Sequence, residues 1–552
     1  MNKFTTPVKK IPVLRQSYGY KTISEMTANS AEIYSDKTAY EIPRDNQIIQ
    51  YTFGDVINLV QKLAKHLSET GLSRGDRIAI IGENSPHWAI SFFAVSWVGA
   101  VAVPLDARSS VDNHKLALSH SEASCIITSK SFFSSIEALK NSIPSLKTVI
   151  RMEEIDELNN KYSTGISPAN IGGDDLMEIL FTSGTTGDPK GVMLSHKNLM
   201  SNVEDVRRII DLNEDDKAFS ILPIHHVYEC TGGLLSTFYN GVDVFYARSL
   251  KPREMLADLK TASPSIWLNS PLILEKLYQR INKELSTQTG VKSIIANMMP
   301  KHIIGKKVKQ KLGLSNIRLI LSGGAALADW VGEGLDELGF PILQGYGLSE
   351  SSPLISVNPP SNPKNDSVGM VIPSVEAKIV DIDSEGNGEI WAKGDNIMKG
   401  YYKNDSATKE VLTGDGWLKT GDIGYFDEDG YLYITGRKKF VIVTKGGKNV
   451  FPEEVEEKLC KSPFIEEAMV FSPDDSQIQA IIYPNYDELK EKLGEDFDPS
   501  ICKDFIQTKI REANKDLEAY KKVSKFELRE EEFPKTTTRK IKRHLFKDYK
   551  IN

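Results

Sequence analysis

Cysteine is scarce. Four occur in 552 residues, Cys125, Cys230, Cys460 and Cys502, and none stands in a Cys-x-x-Cys pair. That disfavours a zinc ribbon, a redox dithiol or a disulfide scaffold, and it fits a reducing cytosol. Long hydrophobic runs are missing too. The longest apolar stretch, Trp88 to Val103, has sixteen residues, includes two serines and ends at Gly99-Ala100-Val101-Ala102-Val103-Pro104. It predicts a buried helix leading to a strand, because a bilayer needs about twenty apolar residues. The first twenty residues carry Lys3, Lys9, Lys10 and Arg15 without a continuous apolar segment, so no secretory leader is expected. There is no excess of positive charge. A net charge of −7 argues against nucleic acid as a partner. Internal repeats of solenoid period and low-complexity tracts are also absent.

What is present is an ordinary globular composition, 40% hydrophobic, in a chain too long for one core. From about residue 75 to 350, apolar runs at Arg77 to Ile81, Cys125 to Ile127, Ala218 to Leu222, Ile317 to Leu321 and Ile342 to Gln344 alternate with helix-like segments. That alternation predicts an α/β body of layered sheets and helices. After Gly388 strands separated by turns take over, including Asp427-Glu428-Asp429-Gly430 between Gly424-Tyr425-Phe426 and Tyr431 to Ile434. They predict a β-rich subdomain at about residues 365–437. Beyond Arg437 a helix near Glu453 to Cys460, strands near Ala468 to Phe471 and Gln479 to Tyr483, and a helix near Cys502 to Asn514 predict a smaller α+β unit. The expected organisation is a large N-terminal domain, 1–437, and a C-terminal domain, 438–552.

The densest chemistry lies in Phe181-Thr182-Ser183-Gly184-Thr185-Thr186-Gly187-Asp188-Pro189-Lys190-Gly191. Leu176 to Phe181 predicts a buried strand before it, and Ser195 followed by Leu199, Val203, Val206 and Ile210 predicts a capped amphipathic helix after it. The glycines permit backbone angles that expose N–H groups to an anion, the hydroxyls add donors, and Lys190 adds positive charge. Together they suit a polyphosphate. A flexible linker fits poorly with the Pro-Lys-Gly ending and the flanking strand and helix. A Walker A loop does not fit either, since Asp188 and Pro189 separate the last loop glycine from the lysine.

These residues resemble the adenylate-forming, AMP-binding superfamily of acyl-CoA synthetases, luciferases and peptide-synthetase adenylation domains, in which such a loop grips the phosphates of ATP. Further motifs follow in that family's order. Leu222-Pro223-Ile224-His225-His226-Val227-Tyr228-Glu229 is similar to the family's Leu-Pro-x-x-His-x-x-Glu element beside the acyl site, with His226 and Glu229 in its named positions. Two adjacent histidines invite a metal reading. Neighbours on a strand point to opposite faces, however, and no acidic or cysteine partner stands at ligand spacing, so no transition-metal site is expected. Ser322-Gly323-Gly324-Ala325 follows a strand, and its glycines let a planar base or an acyl chain approach the backbone.

Gln344-Gly345-Tyr346-Gly347-Leu348-Ser349-Glu350 combines an aromatic face for stacking, a hydroxyl for phosphate and a carboxylate for Mg²⁺. The resemblance implies that Tyr346 stacks on adenine, Ser349 contacts the α-phosphate and Glu350 holds Mg²⁺, with Thr182 as a second oxygen near the ion. Asp422, in Thr420-Gly421-Asp422, offers a carboxylate for both ribose hydroxyls, and Arg437 offers a cation near the same sugar. In the family these are the ribose-binding positions, and Lys439 matches the hinge. In Pro534 to Arg543 the resemblance points to Lys540 as the catalytic lysine, although Arg539 stands where the family has glycine. Gly446-Gly447-Lys448-Asn449 matches the face that reaches the thiol after the small domain swings.

The resemblance implies two half-reactions. A carboxylate attacks the α-phosphorus of MgATP, giving an acyl adenylate and pyrophosphate, and the thiol of coenzyme A then displaces AMP. The wording of Leu222 to Glu229 looks most like the long-chain fatty acyl-CoA synthetase branch, so a medium- or long-chain fatty acid is the expected substrate. An amino acid is disfavoured, because Tyr228 to Gly232 lacks the aspartate of the amino-acid activators. The chain ends twelve residues after Lys540, and no fused carrier domain is expected. A free acyl carrier protein is the alternative acceptor, and a noncatalytic nucleotide-binding regulator is the alternative class. Between Lys276 and Lys311 nine Lys or Arg accompany one acidic residue, Glu284, interleaved with Ile294-Ile295, Met298-Met299 and Ile303-Ile304. This is a solvated insert, or an amphipathic surface for anionic membrane at its cytoplasmic face.

Overall fold

The computed structural model describes residues 8–44, 47–182, 189–286, 300–445, 448–475, 477–495, 497–535, 541–547 and 549–551, with Ser286 described for its backbone alone. They divide into two compact units. The first is Met1–Ala377 with Ala392–Leu418 and Glu428–Leu432, and the second is Lys378–Trp391 with Lys419–Asp427 and Tyr433–Asn552.

Two large sheets organise the first unit. The seven-stranded sheet runs, in spatial order, Gly400–Tyr401, Lys190–Ser195, Leu176–Thr182, Val101–Pro104, Arg77–Ile81, Cys125–Thr128 and Thr148–Arg151. Its last five strands are parallel, while Lys190–Ser195 runs antiparallel to both of its neighbours. The nine-stranded sheet runs Met370–Val371, Leu354–Val357, Ile342–Gly347, Leu319–Ser322, Ile266–Asn269, Lys217–Ser220, Asp243–Tyr246, Thr38–Arg44 and Gln47–Thr52. Its inner strands are parallel, from Ile342–Gly347 through Asp243–Tyr246 to Thr38–Arg44. Strands buried on both faces need apolar residues throughout, which is why these segments read as short continuous apolar runs.

The helices follow the same logic. Pro86–Trp97 is mostly apolar and buried along its whole length, with His87, Ser91 and Ser96 as its polar members, the pattern of a helix enclosed by protein. Ser85 caps it by accepting from the Trp88 N–H at 3.3 Å, and Gly99, at φ +72°, turns the chain into Val101–Pro104. Ser195 and Asn198 form a reciprocal cap on His196–Ile209, with hydrogen bonds of 3.2 and 2.8 Å. This fixes the helix that follows the predicted phosphate loop.

Val375–Val380, Gly388–Gly394, Leu418–Phe426 and Leu432–Arg437 form a four-stranded sheet, most of whose residues belong to the second unit. Ile465–Phe471, Ile478–Pro484 and Val523–Leu528 form a three-stranded sheet, which shares one core with helices Pro452–Cys460 and Pro499–Ala513. The α/β body and the smaller α+β unit expected from the sequence are both present.

Two details depart from expectation. The strand predicted over Ala218 to Leu222 stops at Ser220, because Asn84 captures the chain beyond it: its amide donates to the Leu222 carbonyl at 2.6 Å and accepts from the Ile224 N–H at 3.0 Å. The basic segment 276–311 lies partly outside the described residues, but helix Lys301–Leu312 turns Ile304, Val308 and Leu312 onto the core of the first unit. Its Gly305 sits so close to Leu338 that a Cβ would fall 1.7 Å from the Leu338 carbonyl oxygen. Lys311 reaches Glu284 at 2.6 Å, and Lys309 donates to the Gly339 carbonyl at 2.8 Å. A membrane contact through this helix would therefore be electrostatic rather than insertive. Among the described residues no helix is long and apolar enough to cross a membrane.

Glu178, on the strand that leads to the phosphate loop, is fully buried, and neither carboxylate oxygen has a hydrogen-bond partner. Burial pushes its carboxyl up to about 8 from an ordinary 4.5. Because the folded state holds this proton more tightly, its contribution to stability is complete below about pH 4.5 and is lost as pH rises towards 8. Thermal denaturation should show Glu178→Gln gaining on wild type between pH 5 and pH 8.5, and parallel profiles would refute the assignment.

Candidate active site

Thr182 and Lys190 close the two ends of the predicted phosphate loop. They are paired in the antiparallel register, with the Thr182 hydroxyl donating to the Lys190 carbonyl at 3.4 Å. Ser183, Gly184, Thr185, Thr186 and Gly187 lie outside the described residues. The Lys190 ammonium stands over the ring of Tyr401, 4.9 Å from its centroid. The hydroxyl of the same tyrosine donates to Glu350 Oε1 at 2.7 Å. Burial, and next the charge of Glu350, push this phenol far above its ordinary value, so it remains a donor.

Tyr401 belongs to a segment, 395–402, that laces the two sheets of the first unit together. Asn198 donates to the carbonyls of Asp395 and Ile397, both at 2.8 Å. Asn396 donates to Ser351 and Leu354 carbonyls at 3.0 and 2.9 Å. The Met398 N–H meets the Glu350 carbonyl at 2.9 Å, and the Tyr402 N–H meets the Gly191 carbonyl at 2.7 Å. Glu350 is thus fixed through both backbone and side chain to the segment whose strand, Gly400–Tyr401, pairs with the strand that carries Lys190.

Other predicted residues collect at the carboxyl ends of the parallel strands of the nine-stranded sheet, where open α/β sheets place their ligands. Ser322 and Gln344 are register partners, so Gly323-Gly324-Ala325 and Gly345-Tyr346-Gly347 leave the sheet side by side. Gly323 receives the ring of Tyr228, whose hydroxyl donates to the Leu321 carbonyl at 3.0 Å. This brings the 222–229 element to the same edge. Gly347 must be glycine, since a Cβ would lie 1.8 Å from the Pro353 carbonyl oxygen. Tyr346 is half-buried, and Ser349 and Glu350 open the short helical turn that follows.

The two histidines require a correction. They lie not on a strand but in the turn after Ser220, and their rings meet with centroids 4.1 Å apart. Asp106 supplies the acidic partner that local spacing did not show, its Oδ1 lying 3.5 Å from His225 Nε2. Burial holds both imidazoles below their usual value, His226 at about 4, so both are neutral at pH 7. Glu229 is buried and accepts from Ser220 at 2.6 Å.

In the second unit Arg437 Nε reaches Asp422 Oδ1 at 2.7 Å, with the aspartate side chain only 5% exposed. Both residues are on strands, Asp422 within Leu418–Phe426 and Arg437 at the end of Leu432–Arg437, and Gly421 takes φ +72° beside the aspartate. Lys439 lies in the short helical turn Lys438–Phe440. Gly446, Gly447 and Lys540 lie outside the described residues, although Lys535 and Ile541, which flank the last of these, are bridged.

A family model described as AMP-binding enzyme matches residues 27–402. The chain belongs to the AMP-binding enzyme family. A second model, AMP-binding enzyme C-terminal domain, matches residues 439–550. A long-chain-fatty-acid–CoA ligase of Bacillus subtilis is 30% identical over 503 residues, covering 83% of each chain. A chloroplastic long-chain-fatty-acid–[acyl-carrier-protein] ligase of Arabidopsis thaliana is 28% identical, over 90% of this chain and 80% of its own. Among solved structures, ATP-bound MatB from Rhodopseudomonas palustris has the same fold, with a TM-score of 0.78 at 23% identity, over 96% of this chain and 99% of that one.

In this AMP-binding enzyme Tyr401, which links Lys190 to Glu350, was not among the motif residues. Neither of the charged partners of Tyr401 is near it in sequence. The close approach at Gly347 is directly testable. Gly347→Ala should lower stability in urea denaturation by more than about 3 kcal/mol or abolish folding. Gly345→Ala, whose Cβ would meet mainly the Leu354 side chain at 3.2 Å, should cost less than about 1.5 kcal/mol. Equal effects would contradict the geometry.

Proposed function

We propose that this enzyme is an AMP-forming acid–thiol ligase that activates a medium- or long-chain fatty acid. The observation that carries the reading is the convergence of Lys190 and Glu350 on Tyr401, beside the loop whose composition suits a polyphosphate. Lys190 and Thr182 would neutralise and orient phosphate oxygens. Glu350 fits Mg²⁺, because a half-buried carboxylate accepting one hydrogen bond keeps lone pairs for a hard cation that takes one or two carboxylates, phosphate oxygens and water. When bound, Mg²⁺ would offset charge on the phosphates. Tyr401 holds the carboxylate in place while its ring faces the lysine, so both charges are preorganised.

In the first half-reaction a carboxylate oxygen bonds to the α-phosphorus and the α–β bridging oxygen departs with pyrophosphate. In the second a thiol sulphur bonds to the acyl carbon, the thiol proton is lost and AMP leaves. Asp422 and Arg437 would hold the ribose, and Tyr346 with Gly323–Ala325 the adenine. Lys540 would neutralise the α-phosphate. Movement of residues 438–552 about Lys439, bringing Gly446 and Gly447 to the thiol, belongs to the same proposal. Curated relatives named for long-chain fatty acids support the acyl choice, and they leave two acceptors, coenzyme A and an acyl carrier protein. Coenzyme A is favoured by the larger number of such names among the relatives. The charged pair on Tyr401 speaks against a noncatalytic regulator.

Pyrophosphate release from MgATP, measured across acetate, benzoate, hexanoate, palmitate and amino acids with and without coenzyme A, should peak with the longer fatty acids and yield an acyl thioester. A peak with acetate or an amino acid would overturn the acyl assignment, and silence with every acid would overturn the ligase reading. Glu350→Gln should lower the rate on the order of 100-fold or more. Tyr401→Phe should raise the Mg²⁺ needed for half-maximal rate on the order of tenfold, since it removes only the hydrogen bond that orients the ligand. An unchanged Mg²⁺ dependence would remove Tyr401 from the account.

A further inference from the structure

Asp106, His225 and His226 bring one carboxylate and two imidazoles together, with donor atoms that all lie within 4.8 Å of one another. We propose that they form a binding site for one divalent transition ion of the Zn²⁺ or Co²⁺ class. The cluster shares no residue with the Glu350 position proposed for Mg²⁺, and its test does not depend on the ligase reading.

The backbone makes the arrangement available. Asn84 pins the turn through Leu222 and Ile224, and the His226 N–H bonds to the Pro223 carbonyl at 3.0 Å. Consecutive side chains therefore leave on the same side instead of alternating as they would on a strand. The Nε2 atoms of both histidines are buried without a hydrogen-bond partner. A buried nitrogen left without a partner is destabilising, which a ligand to both rings would offset. The 3.5 Å approach of His225 Nε2 to Asp106 is an ion-pair distance and does not satisfy the nitrogen.

Asp106 is itself oriented from outside the cluster. Its Oδ1 accepts the Arg108 N–H at 2.9 Å, and its carbonyl accepts from His114 Nε2 at 2.8 Å. Ligands held this way lose less freedom on binding an ion. Tetrahedral coordination at about 2.0–2.1 Å needs donors about 3.3 Å apart, so small side-chain rotations would close the triad. Two imidazole nitrogens with one carboxylate select Zn²⁺, Co²⁺ or Ni²⁺ over Mg²⁺ and leave coordination positions open. The guanidinium of Arg108, 3.7 Å from Asp106 Oδ1, opposes a second cation. The expected affinity is therefore on the order of micromolar rather than nanomolar.

The test is titration of the full-length, chelator-dialysed protein with CoCl₂, followed by the visible ligand-field absorption of bound Co²⁺, with ZnCl₂ and MgCl₂ as competitors. One equivalent of Co²⁺ should bind, Zn²⁺ should displace it and Mg²⁺ should not. Saturating Zn²⁺ should also raise the Tm of the wild-type protein. His225→Ala and Asp106→Asn should each weaken uptake at least tenfold. No ligand-field band and no Tm shift in the wild type would overturn the proposal, as would stoichiometric uptake left intact in both variants.

Discussion

A single phenol links a cation and a carboxylate that come from the two large sheets of the first unit. The Tyr401 hydroxyl donates to Glu350 at 2.7 Å while its ring carries the Lys190 ammonium 4.9 Å away. Glu350 follows a strand of the nine-stranded sheet, and Lys190 opens a strand of the seven-stranded sheet. Opposite charges from two sheets are thus held near one another without being allowed to neutralise each other in a direct pair. A lysine and a carboxylate free to meet would form a salt bridge that a polyphosphate and its cation would first have to break. The aromatic spacer keeps both available and still stabilises each of them.

The phenol can do this because residues 395–402 are fixed by backbone bonds over their whole length. Asn198 and Asn396, both buried, each satisfy two carbonyls from the neighbouring element. Buried amides of this kind leave two unpaired carbonyls when lost, so the segment has one strongly preferred position. The same economy appears at the carboxyl ends of the parallel strands. Gly323 admits the Tyr228 ring and Gly347 admits the Pro353 carbonyl, and these two absent side chains let three sequence-distant elements reach one edge.

Much of the fold was legible because the relevant signals are local. The apolar run at Leu176, the Ser195 cap, the mostly apolar helix before Gly99 and the turn at Asp427 each declare their structure within a few residues. The strands of the C-terminal unit did so as well. Of the motif residues, Thr182, Lys190, Ser322 and Gly347 stand at strand ends, as the local pattern predicted, while Asp422 lies within the strand Leu418–Phe426. What could not be read were features created by contact between distant segments. Nothing near Tyr401 announces Glu350 or Lys190, and nothing near His225 announces Asp106. The histidines were further obscured by a wrong local assumption, since two neighbours on a strand diverge and two in a pinned turn converge. The end of the strand at Ser220 depends in the same way on Asn84. In the basic segment, the described helix Lys301–Leu312 packs Ile304, Val308 and Leu312 on the core of the first unit, a contact that no neighbouring residue announces.

The central claim is that a carboxylate is activated by bonding to the α-phosphorus of ATP. It is tested most directly by following ¹⁸O from a carboxyl-labelled long-chain fatty acid through one complete turnover with coenzyme A. One labelled oxygen should appear in AMP, with none in pyrophosphate. Label in inorganic phosphate, or ADP in place of AMP, would contradict the account.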